Sequence, residues 1–537
     1  MSSAATGLYG SDPALLGPFA ARLASKNKLK WAIALTVALG AMLEVIDTSI
    51  VNVALPDIRG NLGATLAEAG WVSTGYACAN VVIIPLTAWL GNRFGRKNYF
   101  LFSLAGFTIA SVLCGLAANL TMLVVARVLQ GLAGGGLLAK AQSLLFETFP
   151  RSEQGAAQGM FGIGVIAGPA LGPVLGGYLT DTLGWRWIFF INIPVGILAV
   201  LMVIIFLPRD RASDLSRSKV DWLGIALLAV GLACFQTMLE EGQQYDWFSS
   251  KFITVMGLGS LIGILLFLWR ELAVEHPAVD LRVLRYRSLA AGSAYSLVLG
   301  MGIYGVIFAI PVFVQDYLHF SAMQSGFLLI PGALAAGIMM VAMGKISGKF
   351  DARMLVALGA LVTVGTALSL STINPNTGTH SLFWPLIWRA IGSVMMFLPL
   401  SVATVGNLPK DKIASGSGIY NLTRQLGSSI GIAIIATVFV QREATHRASL
   451  VEHVSISQPM VTARIDAFSA AFGRRTGDEL HAQHQAFQAL NLTVDSQAAL
   501  KAYADIFMYV AVAFVVTLPL LLFLDKGKHP PPNADIH

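Results

Sequence analysis

The feature that most restricts this chain is the recurrence of apolar runs long enough to cross a bilayer. Trp31 to Val53, Met256 to Trp269 with its flanks, and Tyr503 to Leu524 all approach the ~20 residues a spanning helix needs. Hydrocarbon offers no partners for backbone N–H and C=O groups, so only helices or a closed barrel can cross it. Barrel strands would leave alternating segments of about ten residues, and the sequence has none. Of the 537 residues 55% are hydrophobic and 12% charged, too apolar a balance for a soluble core to hide. An all-α polytopic membrane protein is expected.

Apolar runs between polar breaks give about fourteen spans, beginning near residues 31, 69, 98, 121, 156, 187, 220, 251, 290, 325, 353, 383, 415 and 503. With the N-terminus inside, the inside loops collect Arg93, Arg96, Lys97, Arg151, Arg209, Arg282, Arg285, Lys345, Lys349, Lys410 and Lys412, as the positive-inside rule requires. Both termini are then cytoplasmic. The net charge of +7 follows from these flanking cations, so nucleic acid is not an expected partner. The first thirty residues lack an apolar core followed by a small-residue cleavage site, so no removable leader is expected. Cys78, Cys114 and Cys234 lie far apart in apolar runs, without the spacing of a disulfide framework or a metal site. No cofactor is expected beyond a coupling proton.

Trp89 to Lys97 (WLGNRFGRK) has an echo at Gly344 to Arg353 (GKISGKFDAR). Each follows the second span of a bundle half, which suggests the parallel-repeat plan of secondary transporters with a substrate site at mid-membrane between the halves. The expected organisation is a cytoplasmic tail at 1–30, a six-helix bundle at 31–207, a linker with two extra spans at 208–287, a second six-helix bundle at 288–524, and a tail at 525–537. Within the second bundle, 441–502 reads as a long polar outer loop. Its Val461, Ile465, Phe468 and Phe472 spacing predicts short amphipathic helices. His481 and His484 there lack a third ligand for a metal.

Chemistry-bearing residues sit inside the apolar runs. Glu44 and Asp47, three apart, share a helical face in span one. A carboxylate at the bilayer centre costs ~2.5–3.5 kcal/mol on insertion scales, so it should face a wet cavity, pair with a cation or be protonated. Two acids on one turn also make a group able to load and release a proton near neutral pH. Arg127 in span four, followed by Gln130 and Gly131, is the natural counter-charge, because a guanidinium does not deprotonate. Lys140 lies further along the same span; it either snorkels or lines the cavity. In span five Gly164, Gly168, Gly172 and Gly176 recur every fourth residue and strip one helix face for close packing. Pro169 and Pro173 remove backbone donors from the same helix.

Together these segments resemble the EmrB/QacA-like drug:proton antiporters, the fourteen-span branch of the major facilitator superfamily. IDTSIVNVALP is similar to the branch's span-one signature, with Ser49 where Thr is usual. NRFGRK resembles the superfamily's cytoplasmic hairpin motif, RVLQG its span-four motif, and GPALGPVLGG the span-five antiporter motif. WRWIFFINIPVG (Trp185 to Gly196) and NLTRQLGSSIG (Asn421 to Gly431) are similar to further segments of the branch. The resemblance implies a fold of two six-helix bundles plus two additional helices. It implies proton coupling through Asp47, Glu44 and Arg127, a hairpin of Asn92, Arg93, Gly95, Arg96 and Lys97, and an antiporter element of Gly168, Pro169, Gly172, Pro173, Gly176 and Gly177. Two departures stand out: Asn92 replaces the hairpin's usual Asp and Ala88 its leading Gly. Asn92 then serves as a helix cap, and Glu147 is the expected partner for Arg93.

The function implied is proton-coupled efflux of small amphipathic or toxic compounds by alternating access in the cell inner (cytoplasmic) membrane. A dedicated exporter of one metabolite, siderophore or lipid is the alternative, and a polytopic enzyme or receptor the remote one. Lys140, Gln142, Tyr304, Phe308, Met395 with Met396, and Arg424 are the expected cavity residues, since polarizable side chains suit varied ligands. Arg389 and Arg424 either steer anionic substrates or serve structure. The outer segment further suggests docking of a periplasmic membrane-fusion adaptor, and through it an outer-membrane channel, as in EmrB-like tripartite pumps.

Overall fold

The computed structural model describes residues 15–210 and 220–524, apart from 276, 319, 375, 376, 456 and 477. Thirteen helices among the described residues are long and apolar enough to cross a membrane. The thirty-residue helix Arg287–Asp316 stands at the remaining expected position. In chain order the spans are α1 (Leu29–Leu62), α2 (Ala67–Phe94), α3 (Arg96–Gly115), α4 (Leu120–Thr148), α5 (Gln154–Leu183), α6 (Trp187–Phe206), α7 (Trp222–Glu241), α8 (Lys251–Ala273), α9 (Arg287–Asp316), α10 (Ala322–Ile346), α11 (Ala352–Leu370), α12 (Thr379–Val405), α13 (Ile413–Glu452) and α14 (Glu479–Thr517). No strand occurs among the described residues.

Local chemistry sets the turns. Gly63 ends α1 in the left-handed region at φ 63°, where a side chain would be strained. Thr65 and Glu68 then open α2 with a capping box, each satisfying a backbone donor the helix start leaves orphaned. Between α2 and α3, Gly95 adopts φ 90°, and a Cβ there would lie 2.7 Å from Asp210 Oδ2. That carboxylate accepts the Lys97 N–H at 3.0 Å and so caps α3. Lys97 Nζ in turn donates to the Leu207 and Ile204 carbonyls at the end of α6, at 2.6 and 2.8 Å. The hairpin is therefore a reciprocal cap between α3 and α6. Asn92 lies inside the helical turn Thr87–Phe94 and caps nothing, contrary to expectation; Asp210 does that work. Glu147 pairs with Arg96 at 3.2 Å rather than with Arg93.

The glycine face of α5 packs along α1. A Cβ on Gly168 would strike Val45, one on Gly172 would strike Ser49, and one on Gly176 would meet Ile50. Ser49 Oγ uses this proximity to donate to the Gly168 carbonyl at 3.1 Å. The other edge of α5 meets α10 across the line between the N-terminal and C-terminal halves: Gly155 touches Gly344, and Val174 touches Gly326. Beside them α13 meets α4 at the hairpin end of the molecule. There Asn421 Nδ2 donates to Gln142 Oε1 at 2.6 Å, and Ser417 Oγ donates to the Ala139 carbonyl at 2.9 Å. These polar contacts seal the hairpin end of the seam.

The additional pair α7–α8 is not loosely appended. α7 is held to α2 of one half by Thr74 Oγ1 donating to Glu241 Oε1 at 2.8 Å, and to α13 of the other by Gln236 Nε2 donating to Ser429 Oγ at 2.7 Å. Beyond its end, Trp247 Nε1 reaches Thr437 of α13 at 3.0 Å. α8 covers α7 and presents Val255, Leu258, Leu261, Ile262 and Leu265 outward, as a lipid-facing helix should.

The expected polar loop at 441–502 is instead mostly the continuation of two spanning helices. α13 has 40 residues and α14 has 39. At 1.5 Å per residue each is about 60 Å long, twice the ~30 Å hydrocarbon core. Their projecting ends are clipped together by Arg442–Asp505 at 2.5 Å and Arg447–Asp495 at 2.6 Å. Only Pro459–Thr476 forms the short amphipathic helix expected, with Ile465 its buried anchor against α14. Beside these ion pairs α14 buries Ala482, Ala486, Val494, Ala498 and Ala499; the polar composition of the stretch as a whole hid the helices.

Candidate functional site

The charged centre of the N-terminal half is built on α1, α4 and α6. Asp47 is wholly buried and Arg127 1% exposed; Arg127 Nη1 donates to Asp47 Oδ2 at 2.5 Å. The other carboxylate oxygen accepts from Gln130 Nε2 at 2.9 Å and from Asn192 Nδ2 at 2.8 Å. Arg127 also donates to Gln130 Oε1 at 2.7 Å and, through Nε, to the Val72 carbonyl at 3.1 Å. Its guanidinium lies 4.2 Å over the Tyr76 ring, a cation–π contact strengthened by the dry surroundings. An ion pair taken out of water persists only when its remaining donors and acceptors are satisfied, and here Gln130, Asn192 and the Val72 carbonyl do so.

Glu44 does not join that pair. Its Oε1 accepts from Asn80 Nδ2 at 2.8 Å and its Oε2 from the Leu138 N–H at 2.9 Å. The Leu138 donor is free because α4 is not one helix: it runs Leu120–Gly134, breaks at Gly135 and Gly136, and restarts as Leu137–Thr148. Gly135 cannot carry a side chain, since a Cβ would lie 2.7 Å from the Asn80 backbone. Gly131 is equally constrained, 2.5 Å from the Tyr76 carbonyl. Glu44 thus sits at the N-terminus of a helix segment, where oriented peptide dipoles favour an anion. The structure divides the expected trio into a paired acid and a helix-capping acid.

Several expected cavity residues lie elsewhere. Lys140 is 2% exposed with its ammonium against Gly91, so it neither snorkels to the surface nor lines the cavity. Gln142 is committed to the inter-half contact with Asn421. Met395 and Met396 fill the packed face between α12 and Gly359 of α11. The side chains of Tyr304 and Phe308 lie outside the described residues. The cavity itself lies between α5, α9, α10, α12 and α13, with a volume of about 70 Å³. Pro169, Leu299, Ile303, Leu329, Phe397, Arg389 and Arg424 are among its lining.

Asn80, Asn192 and Asp210 were not singled out from sequence. Asn80 and Asn192 carried a signal, as uncharged amides within otherwise apolar spans. Among the described residues no group of three or more His, Cys, Asp or Glu side chains is placed to hold a metal, and His481 and His484 are both exposed.

Two helical halves with buried charge at their centre and a cavity on the seam define a secondary membrane transporter. The chain belongs to the Major Facilitator Superfamily, whose model matches residues 37–432, and within it to the EmrB-like branch. It is 33% identical over 490 residues to the multidrug export protein EmrB of Escherichia coli strain K12, covering 91% of this chain and 94% of that one. To the fatty acid resistance protein FarB of Neisseria gonorrhoeae it is 32% identical over 505 residues, covering 93% and 97%. The crystal structure of the human organic anion transporter MFSD10 (TETRAN) shares the fold, with a TM-score of 0.59 at 13% identity over 92% of this chain and 99% of that one. Family membership makes this multi-pass membrane protein a transporter and removes the enzyme and receptor readings.

Proposed function

We propose that the chain exports small amphipathic or toxic compounds in exchange for protons, seated in the cell inner membrane with the hairpin end and both termini facing the cytoplasm. The observation that carries this reading is the Asp47–Arg127 pair, fully enclosed by protein and separate from the cavity. A proton arriving at Asp47 removes the charge that holds Arg127, and the α1–α4 packing loses its strongest tie. The conformer described is the one closed at the hairpin end. Protonation there lets the seam at Gln142–Asn421 and Gly155–Gly344 part, opening the cavity to the cytoplasm. Deprotonation follows on that side, and the membrane potential adds ~2.3 kcal/mol per charge per 100 mV.

The relatives named for multidrug export, EmrB, and for fatty acid resistance, FarB, support export of small organic compounds. Everted membrane vesicles with an imposed pH gradient test the reading: Asp47→Asn at normal abundance should abolish gradient-driven accumulation, and undiminished accumulation would refute it. The two-domain boundaries at 31–207 and 288–524 belong to the same proposal, with each half moving as a body.

The projecting ends of α13 and α14 are the proposed seat of a membrane-fusion adaptor on the far side, and through it of an outer-membrane channel. Deleting 456–476 should leave vesicle transport intact while abolishing co-purification of the adaptor; retention of the complex would sink this part.

A further inference from the structure

The additional helix α7 ends on acids that no base answers. Glu240 and Glu241 close it in succession. Glu241 is 2% exposed; its Oε1 accepts from Thr74 Oγ1 of α2 at 2.8 Å, and its Oε2 has no donor. Glu240 is exposed, and its Oε1 accepts from Gln236 Nε2 at 2.8 Å. The same Nε2 donates to Ser429 Oγ of α13 at 2.7 Å, while the oxygen of that amide, Gln236 Oε1, is buried without a donor. Among the described residues neither acid forms an ion pair. α2 faces the cluster with Thr74 and with the Cys78 thiol, 3.3 Å from Thr237 Oγ1. α13 faces it with Ser429, and Arg424 of that helix is bonded to Asn421. The ionisable residues of α8 stand at its two ends: Lys251, exposed, and Arg270 with Glu271, beside Asp221 at the start of α7. Tyr245 and Asp246 follow α7 in the connection.

An acid at membrane depth must face water, pair with a cation or carry a proton. Asp47 has Arg127 and two amides; Glu241 has one neutral hydroxyl. The two orphaned oxygens, Glu241 Oε2 and Gln236 Oε1, lack the same thing, a donor hydrogen, and a buried acceptor left without one is costly. α2 joins this cluster to the charged centre. One of its faces gives the Val72 carbonyl and the Tyr76 ring to Arg127, and the opposite face gives Thr74 and Cys78 to α7. Thr74 stands two residues from Val72, a rise of about 3 Å, so Glu241 lies near the depth of the Asp47–Arg127 pair.

We propose that α7 holds a second coupling proton, bound at the buried Glu241 and delivered through the exposed Glu240. The proposal rests on the exporter reading and deepens it, setting two protons in the cycle rather than one. A proton taken up on Glu241 Oε2 forms the O–H that the cluster lacks and leaves Oε1 to accept from Thr74. On release the carboxylate is regenerated and the proton passes to water. Release is tied to the movement of the halves, because α7 is bonded to α2 of one and to α13 of the other. The halves cannot rock without loosening one of these contacts, which admits water to Glu241 and lets it ionise.

The test uses the full chain reconstituted in lipid. Infrared difference spectra between acid and alkaline buffer should show the carbonyl stretch of a protonated carboxylic acid that titrates, is removed by Glu241→Gln and survives Asp47→Asn. Thr74→Val deletes the hydrogen bond to that carboxyl group and should move the band to higher frequency. In everted vesicles with the membrane potential clamped at zero, each coupled proton multiplies the limiting accumulation of ethidium by about tenfold per unit of pH difference. Glu241→Gln should therefore retain export but lower that limit about tenfold for a difference of about one unit, whereas Asp47→Asn abolishes it. A band that Glu241→Gln leaves in place, or a limit that it leaves unmoved, would overturn the proposal. So would a band that responds to sodium at fixed pH, which would assign the acids to a metal cation. If Glu241→Gln fails to fold, Thr74→Val decides, an unmoved band meaning that another acid carries the proton. Should ethidium fail to accumulate even with the unaltered protein, the exporter reading falls by itself, and the infrared band still decides whether Glu241 binds a proton.

Discussion

The backbone N–H of Leu138 donates to the Glu44 carboxylate at 2.9 Å, a bond that exists because the glycine break in α4 frees a donor at the start of a helix segment. The contact ties the break to an acid on α1 and places a charge where the segment's dipole favours it. Replacing Glu44 with Gln keeps an acceptor but removes the charge. The expected loss is about 1 kcal/mol of stability, read as a lower unfolding temperature in detergent, with gradient-driven export reduced several-fold but not abolished. Complete loss of export in Glu44→Gln, equal to that of Asp47→Asn, would show that the two acids act as one group and not as the structure divides them.

The Asp47–Arg127 pair makes a different prediction. Asp47→Asn leaves a permanent cation enclosed at Arg127, and stranding a buried charge costs roughly 3–5 kcal/mol. Removing both charges with Asp47→Asn and Arg127→Gln restores neutrality. The double variant should therefore be more stable than Asp47→Asn alone, although neither exports. Thermal unfolding of the four proteins closes the cycle; additive losses would mean that the pair contributes no coupling energy.

Close packing of α1 on α5 predicts a rescue. A methyl group at Gly172 meets Ser49 directly, and Gly172→Ala should cost about 1–3 kcal/mol through overpacking and lower export accordingly. Ser49→Gly removes the colliding atoms, so Gly172→Ala with Ser49→Gly should recover stability relative to Gly172→Ala alone. Unfolding temperatures of the single and double variants check this; no recovery would place the strain elsewhere in the helix.

Much of this was legible because lipid enforces it. A run such as Trp31 to Val53 has few alternatives to a spanning helix, and Asp47 and Arg127 stand out because ionised groups are expensive there. The glycine spacing from Gly164 to Gly176 also translated directly into a packed face. What the sequence hid were relations set by three-dimensional register. Nothing in RVLQGLAGGG says that the glycines break α4 to serve Glu44. Nor does FLPRD announce that Asp210 will cap α3. Lys140, Gln142 and Met395 had the right chemistry for a cavity but face packed seams, because rotation about a helix axis cannot be read from an almost uniformly apolar run. In the far-end projection the error ran the other way: Arg442, Arg447 and Asp495 looked like loop residues, and their ion pairs, one of them with Asp505 of the expected last span, clip two helices together.

The contact of Asn421 with Gln142 predicts a shift in conformation. Asn421 bridges Arg424 and Gln142 at 2.6 Å on either side, but only the bond to Gln142 crosses the seam, so Asn421→Ala deletes one buried hydrogen bond from the closed hairpin end. At about 1 kcal/mol net, the ratio of closed to open forms should fall roughly fivefold. The exposed residues Ser152 and Lys349 flank the seam on its two sides. Spin labels at these positions, in a background with Cys78, Cys114 and Cys234 replaced, report the separation by pulsed electron resonance. The unaltered protein should give one short distance, and Asn421→Ala should add a longer population. Gln142→Ala should do the same, because it removes the bond from the other half, whereas Ser417→Ala should shift the balance less, losing the weaker contacts to Ala139 and Gln142. A distance distribution unchanged in both Asn421→Ala and Gln142→Ala would mean that the glycine contacts of α5 and α10 alone keep the hairpin end shut.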